Sequence, residues 1–286
     1  MTLPLFIYHG GCFDGFTAAW ILSQRGDAEW RPASYGDRAP DVTGRDVWVV
    51  DFSYPRETMF TLACAAQCLV VLDHHKTAQE ALDGLEHQVL VETGKHIIIQ
   101  FDQERCGASM LWDHLEELGP RPWLVDYVED RDLWKQVLPH TKEVTAWISA
   151  QEMTFEAWDA LQTNGLQLAI ESGSAVLAYI SQYGRKARKH ARIEDIAGYP
   201  VPTMNLSYMN CSEHVGELLK EHPHSEFAAS YFRRRDGKWQ FSLRSRPDFD
   251  VAEVAKKFGG GGHAQAAGFE TKILPWEDLI EDLMER

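Results

Sequence analysis

The chain has little cysteine and no long apolar run, and it is poor in positive charge. Five cysteines in 286 residues, odd in number and irregular in spacing, give no disulfide framework to read, and a reducing cytoplasm is the expected location. The N-terminus lacks the basic segment and long apolar stretch of a secretory leader. No uninterrupted apolar run approaches the roughly 18 residues that a bilayer-spanning helix requires, so no membrane association is expected. Lys and Arg number 28 against 43 Asp and Glu, for a formal charge of −15. So acidic a chain is ill suited to wrapping a long duplex nucleic acid, because sequence-independent binding is driven by cations that release counterions. Internal repeats and low-complexity tracts are missing as well.

What remains is ordinary globular material. Apolar residues make up 44% of the chain and charged residues 25%, with ten Trp and thirteen Phe to fill a core. The length favours two domains. A short or singly engaged anionic substrate stays compatible with the acidic total, since carboxylates gathered around divalent cations are locally neutralised.

The first half alternates apolar strands with helix-period segments. "LPLFIYH" (3–9), "VWVVDF" (47–52), "CLVVLDHH" (68–75) and "HIIIQF" (96–101) read as strands, and "DGFTAAWILSQRG", "PRETMFTLACAAQ" and "CGASMLWDHLEELG" as helices. This pattern predicts an α/β fold with a largely parallel sheet covered by helices on both faces, whose ligands gather at the strand C-terminal ends. From about 121 to 190 the pattern is helical, and the basic tail Arg185–His190 suits the negative end of a helix dipole. A second, smaller α/β unit follows. It holds a strand in "YPVPTMNLSY", a helix near "SEHVGELLKEH", and a hairpin in "FAASYFRRRDGKWQFSLRS" with Asp236-Gly237 as a two-residue turn. Asp250 and Glu253 then stand at capping-box spacing before a helix that ends in glycine, and Pro275 starts a last helix. The expected division is 1–185, a linker over 186–195, and 196–286.

Several expected strand ends carry metal-capable side chains: His9, Asp14 just beyond it, Asp51, and the run Asp73-His74-His75. Parallel strands deliver their ends to one rim, so these groups should converge, and carboxylate with imidazole is a donor set for Mn²⁺ or similar ions. Taken alone, an Asp after a strand is more often a turn former or cap. Three consecutive polar groups after a buried strand are different, because their desolvation is costly unless something binds them.

"LDHH" (72–75) resembles the signature of the DHH phosphoesterases, which include RecJ-type exonucleases, nanoRNases and 3′-phosphoadenosine 5′-phosphate phosphatases. "HGGCFDG" (9–15) is similar to the family's opening motif and Asp51 to its second-motif Asp. "VEDRDLW" (128–134) is the candidate for the fourth, where an aromatic four residues on, Trp134, favours Asp130 over Asp132. "SLRS" (242–245) and "VAEVAKKFGGGGHAQAAGF" (251–269) resemble the DHHA1 domain, so that the resemblance covers essentially the whole chain.

The resemblance implies an N-terminal DHH catalytic domain and a C-terminal DHHA1 substrate domain. It implies two divalent cations, Mn²⁺ with Mg²⁺ or Co²⁺ as alternatives, held by His9, Cys12, Asp14, Asp51, His74 and Asp130. Asp51, Asp73 and His75 are the expected catalytic residues, with Asp73 or His75 able to support a ligand instead. Arg244, Ser245, Gly260, Gly261, Gly262 and His263 are the expected substrate-binding group; physically, glycines let backbone N–H groups approach an anion while Arg and His donate to it. Where the family has Asp-x-Asp this chain has Cys12-Phe13-Asp14. Cys12 is open to three readings: a thiolate ligand, a weakened first metal position, or a side chain turned away.

The implied activity is phosphodiester hydrolysis of a short RNA or linear dinucleotide by hydroxide generated between two cations. Alternatives are a RecJ-like exonuclease, a bisphosphate-nucleotide or pyrophosphate phosphatase, and a non-catalytic nucleotide sensor. A homodimer is compatible with the sequence.

Overall fold

The computed structural model describes residues 3–115, 119–207 and 211–277. The chain divides into two compact units, 1–177 and 178–286.

The first unit is built on a five-stranded sheet. Its elements run β1 (Leu5–His9), α1 (Phe13–Ser23), β2 (Glu29–Ala33), β3 (Asp46–Val50), α2 (Arg56–Ala65), β4 (Cys68–Asp73), α3 (Lys76–Leu82), α4 (Leu85–Thr93), β5 (Ile98–Phe101), α5 (Gly107–His114), α6 (Trp123–Asp132), α7 (Thr141–Ser149) and α8 (Phe155–Arg188). The spatial order is β2-β1-β3-β4-β5 and every pairing is parallel.

Alternate residues of each strand enter opposite cores, which is why the strands read as unbroken apolar runs. Phe6, Tyr8, Val50, Val70 and Leu72 pack on one face with α1, α5, α6 and Trp158 of α8. Leu5, Ile7, Val47, Val49, Leu69 and Val71 pack on the other with Met59, Leu62, Leu82, Leu85 and Val89. Each fully buried side chain of this kind contributes roughly 1.5–3 kcal/mol. Trp158, wholly buried, donates its indole N–H to Thr17 Oγ1 at 2.9 Å, so its one polar atom is satisfied.

Several features differ from the expectation, α3 and α4 among them. β2 was not foreseen: its "EWRPA" carries Pro32 and exposed polar residues, tolerable because it is an edge strand. α8 breaks at Gly165, whose φ of 84° and ψ of 163° are not helical.

The second unit is a six-stranded sheet of order β10-β11-β9-β8-β7-β6. Its elements are β6 (Arg192–Ile196), β7 (Tyr199–Asn205), α9 (Cys211–Glu221), β8 (Phe227–Arg233), β9 (Trp239–Ser245), α10 (Val251–Lys257), β10 (Gly261–His263) and β11 (Ala266–Thr271). Only β7 and β8 pair in parallel within it.

The residues expected as a linker, 186–195, instead form the end of α8 and most of β6. The β8–β9 turn is wider than two residues, because Arg234 N–H donates to Lys238 O at 2.8 Å and leaves three residues between them. Asp250 caps α10 through Ala252 N–H at 2.9 Å. The segment after His263 is strand β11. Of the expected last helix, 278–286 lies outside the described residues. No described helix is long and apolar enough to cross a membrane.

Candidate functional site

Adjacent strands β1, β3 and β4 bring His9, Asp51 and the Asp73-His74-His75 run to one rim, with β3 in the middle. Asp51 is 1% exposed and sits at φ 57°, a left-handed conformation that a non-glycine residue holds only where its surroundings impose it. Its N–H donates to Leu72 O at 2.9 Å, and its Oδ1 meets His74 Nε2 at 3.1 Å. Its Oδ2 is buried with no hydrogen-bond partner among the described residues; His9 Nδ1 stands 3.6 Å away, too far for a hydrogen bond but close enough for an electrostatic pairing.

Asp14 comes from the first turn of α1 and is completely buried. The N-terminus of α5 holds it: the N–H groups of Gly107 and Ala108 donate to its two oxygens at 2.6 and 2.7 Å. Gly107 has to be glycine, since a Cβ there would lie 2.8 Å from Asp51 Cβ. His74 Nε2 lies 3.9 Å from Asp14 Oδ2 and 3.5 Å from Asp132 Oδ2, so Asp14, His74 and Asp132 form one ligand group. His9, Cys12 and Asp51 form a second, and Asp51, His74 and His75 a third, each with donor atoms within 4.8 Å of one another.

Asp73 and Asp130 do not belong to these groups. Asp73 is buried and accepts from Ser53 Oγ at 2.6 Å, from the N–H of His74 and His75 at 2.7 and 3.2 Å, and pairs with His75 Nδ1 at 2.7 Å. It therefore fixes the His75 ring. The choice of Asp130 over Asp132 is corrected by the structure. Asp130 accepts from Val137 N–H at 2.9 Å, Leu138 N–H at 3.3 Å and Thr141 Oγ1 at 2.5 Å, which ties down the segment after α6. Trp134, the aromatic that favoured Asp130, is exposed beneath the Arg131 guanidinium. The sequence held a signal for Asp132: it follows buried Leu124 and Val128 at helical spacing, on the stripe that faces the core.

Charge crowding sets the protonation of the cluster. Burial, then Asp51 and Asp132, push the Asp14 carboxyl well above its usual range. Burial and the same repulsion from Asp51 raise Asp132. Burial also opposes ionisation of Asp51, but the facing His74 and His9 more than offset it and hold Asp51 low. Burial disfavours the His74 cation, yet Asp51, Asp14 and Asp132 lift it to about 9. His75 is raised by Asp73 in spite of burial. Cys12 is pushed well up by burial and by Asp51, Asp14 and Asp132.

Such a cluster fits divalent cations. Three carboxylates and several imidazoles converge, one buried carboxylate oxygen lacks a donor among the described residues, and the repulsion that drives Asp14 and Asp132 toward their neutral forms is what a cation would relieve. Tyr35, which the sequence did not single out, borders it, with its ring 5.6 Å from His9 and 6.2 Å from His75. It is 61% exposed.

The second unit has a cavity of about 640 Å³ lined by Gln240, Ser242 and Arg244 of β9, by Lys238 and Glu270, which pair at 3.2 Å, and by residues 259–262. Arg244, Gly260, Gly261 and Gly262 are therefore brought together. Ser245 and His263 are not in the lining. The Ser245 hydroxyl instead bonds Phe249 O at 2.7 Å and Ala264 O at 3.0 Å, bracing the loops around the cavity. Arg244 reaches Ser212 Oγ at 2.5 Å. The glycines divide by role: a Cβ at Gly260 or Gly262 would strike β11 backbone within 2.2 or 2.5 Å, whereas one at Gly261 meets nothing within 4 Å.

The DHHA1 domain matches residues 205–286. An uncharacterized protein of Acanthamoeba polyphaga mimivirus is 27% identical over 313 residues, covering 96% of this chain and 69% of that protein. Among solved structures, a pGpG-specific phosphodiesterase of Vibrio cholerae aligns with a TM-score of 0.50 at 12% identity, covering 99% of this chain and 97% of the other. An exopolyphosphatase-related protein from Bacteroides fragilis aligns with a TM-score of 0.47 at 12% identity, over 99% and 91%.

Proposed function

We propose that this chain, a DHH/DHHA1 phosphoesterase, hydrolyses phosphodiester bonds of linear dinucleotides or oligoribonucleotides a few residues long. The observation that carries the reading is the convergence of His9, Asp14, Asp51, His74 and Asp132 around a buried Asp51 oxygen that has no donor. Divalent cations bound there, Mn²⁺ at the carboxylate-rich position, supply a lowered pKa for the attacking water and neutralise charge on the phosphoryl group.

The chain's own groups do the remainder. Asp73 occupies His75 Nδ1, which leaves Nε2 as the atom that donates to a phosphoryl oxygen, and the raised pKa of the ring favours that protonated form. Asp14, pinned by two α5 amides, and Asp51, fixed by the β4 backbone, keep the ligand set rigid. In the second unit, the cavity offers Arg244 and the open Gly261 backbone to an anionic nucleotide group, while Lys238 is paired with Glu270 at 3.2 Å.

Short substrates suit the acidic surface, which opposes a long polyanion. They also suit the name of the Vibrio cholerae neighbour, a protein specific for pGpG, although the likeness to it lies in the fold.

The test is a cation-stripped preparation resupplied with Mn²⁺ and offered a linear dinucleotide, a five-residue RNA, a long single strand, a bisphosphate nucleotide and pyrophosphate. Fastest turnover of the dinucleotide or short RNA is expected. Preference for the long strand would make the chain an exonuclease, and preference for a phosphomonoester or pyrophosphate a phosphatase; either overturns the proposal.

A further inference from the structure

We propose that the cation positions of this centre are chemically unequal: His9, Cys12 and Asp51 form a thiolate position that selects Zn²⁺ or Co²⁺, beside a harder Asp14–His74–Asp132 position suited to Mn²⁺. The inference rests on reading the N-terminal cluster as a cation centre and adds which cation goes where.

Cysteine is a poor choice for the local structure at 12, where the backbone donor that faces its sulfur is the Gly15 N–H. The residue is the N-cap of α1, where Ser, Thr, Asp or Asn would serve best, and its side chain makes no capping hydrogen bond. Its sulfur instead shares a space within 4.8 Å with a His9 ring nitrogen and an Asp51 oxygen. Ligand bonds of about 2.3 Å to sulfur and 2.0–2.1 Å to nitrogen put tetrahedral donors about 3.5 Å apart, so a small inward movement of the side chains closes the set.

The second, independent sign is Asp51 Oδ2. It lies within a residue 1% exposed, is fully enclosed, has no hydrogen-bond donor among the described residues, and is the oxygen that faces His9. A buried carboxylate oxygen left in this way costs free energy unless a cation engages it.

Donor chemistry then separates the positions. One sulfur, one nitrogen and one oxygen, with a fourth place left for water or substrate, is a borderline-soft set that favours Zn²⁺ or Co²⁺ and is poor for Mn²⁺ or Mg²⁺. Two carboxylates and one imidazole at the other position suit Mn²⁺. On ligation Cys12 gives up its thiol proton to solvent and contributes the sulfur lone pair, with no change of oxidation state.

The test is optical and uses the whole chain. Cation-stripped protein titrated anaerobically with Co²⁺ should develop a thiolate-to-cobalt charge-transfer band in the near ultraviolet that saturates at one equivalent. Zn²⁺ should abolish the band, and Mn²⁺ at the same concentration should leave it. Cys12→Asp should bind Co²⁺ without the band and lose at least about tenfold of its preference for Zn²⁺ over Mn²⁺. Cys106→Ala, which removes the buried cysteine beside Asp14, should keep the band.

No band in the native chain, an unchanged band in Cys12→Asp, or ready displacement of Co²⁺ by Mn²⁺ would overturn the inference. In each of these cases Mn²⁺-dependent hydrolysis leaves the phosphodiesterase reading standing. Absence of any cation binding would overturn both.

Discussion

Asp130 and Asp132 are two residues apart on α6, and exchanging their roles gives a test with opposite signatures. Replacing Asp130 with Ala strands two donors, Val137 N–H and Leu138 N–H, at a site 3% exposed, and leaves Thr141 Oγ1 with Leu138 O at 3.0 Å as its acceptor. Each unpaired buried group costs about 1–3 kcal/mol, so a loss of roughly 2–4 kcal/mol is expected. For a unit of this size that corresponds to a fall in Tm of roughly 4–16 °C. Cation affinity of the molecules still folded should stay near that of the native chain. Asp132→Ala should do the reverse. Its side chain is 26% exposed and belongs to the candidate ligand group, so Tm of the cation-free protein should move little. Affinity should fall by more than about 100-fold, the upper range for groups that only support a ligand. Calorimetric melting with and without Mn²⁺, alongside isothermal titration of both variants, reads the two quantities separately. Loss of cation binding in Asp130→Ala at unchanged Tm, with native binding in Asp132→Ala, would refute the assignment.

The glycine run gives a second dissociation: Gly261→Ala should melt like the native chain yet raise KM, because its Cβ enters the cavity and meets no protein atom, whereas Gly262→Ala should melt at lower temperature through its collision with Ala266 O. Tyr35, exposed above His9 and His75, should act as a stacking platform for a base. Tyr35→Ala should raise KM for a dinucleotide roughly 5- to 100-fold, following about 1–3 kcal/mol per stacked base, while Tyr35→Phe and hydrolysis of a diester lacking a base stay near native; equal losses on both substrates would remove this role. His74, held near 9 when no cation is bound, must lose its proton to ligate, so Mn²⁺ affinity should climb as pH rises toward 9 and proton release should accompany binding at neutral pH. Titration in buffers of differing ionisation enthalpy measures the proton, and affinity flat across this range would contradict the assignment.

The architecture of the first unit was legible because parallel strands buried on both faces leave a signature that little else imitates. β1, β3, β4 and β5 each begin or end within three residues of the apolar runs that suggested them. β2 escaped because an edge strand needs only one partner and can carry Pro32 and exposed charge. α3 and α4 escaped because each is short and anchors few residues, Leu82 in one and Leu85 and Val89 in the other. In the second unit, the small residues of "AAGFET" carry no strand signal of their own, and pairing with β9 along six positions makes them a strand. Cross-strand pairing is non-local, so no window of sequence contains it.

The candidate site was legible to the extent that strand ends define it, and least legible where a helix from later in the chain completes it. Asp132 and the α5 amides come from segments whose approach to the rim is set by packing on the sheet, so spacing within a motif misassigned the carboxylate. The resulting cluster explains its own protonation. Carboxylates about 4 Å apart repel by about 4 kcal/mol per pair at an effective dielectric constant of 20, and His74 is the imidazole that faces all three of Asp14, Asp51 and Asp132. It keeps its proton and donates it in a hydrogen bond to the carboxylate it touches, Asp51, which stays ionised, while Asp14 and Asp132 are driven toward their neutral forms. A fold that keeps such a cluster rigid while one Asp51 oxygen has no donor among the described residues holds an arrangement that a cation would relieve, and that is the physical basis for placing the proposed chemistry here rather than at the glycines of the second unit alone.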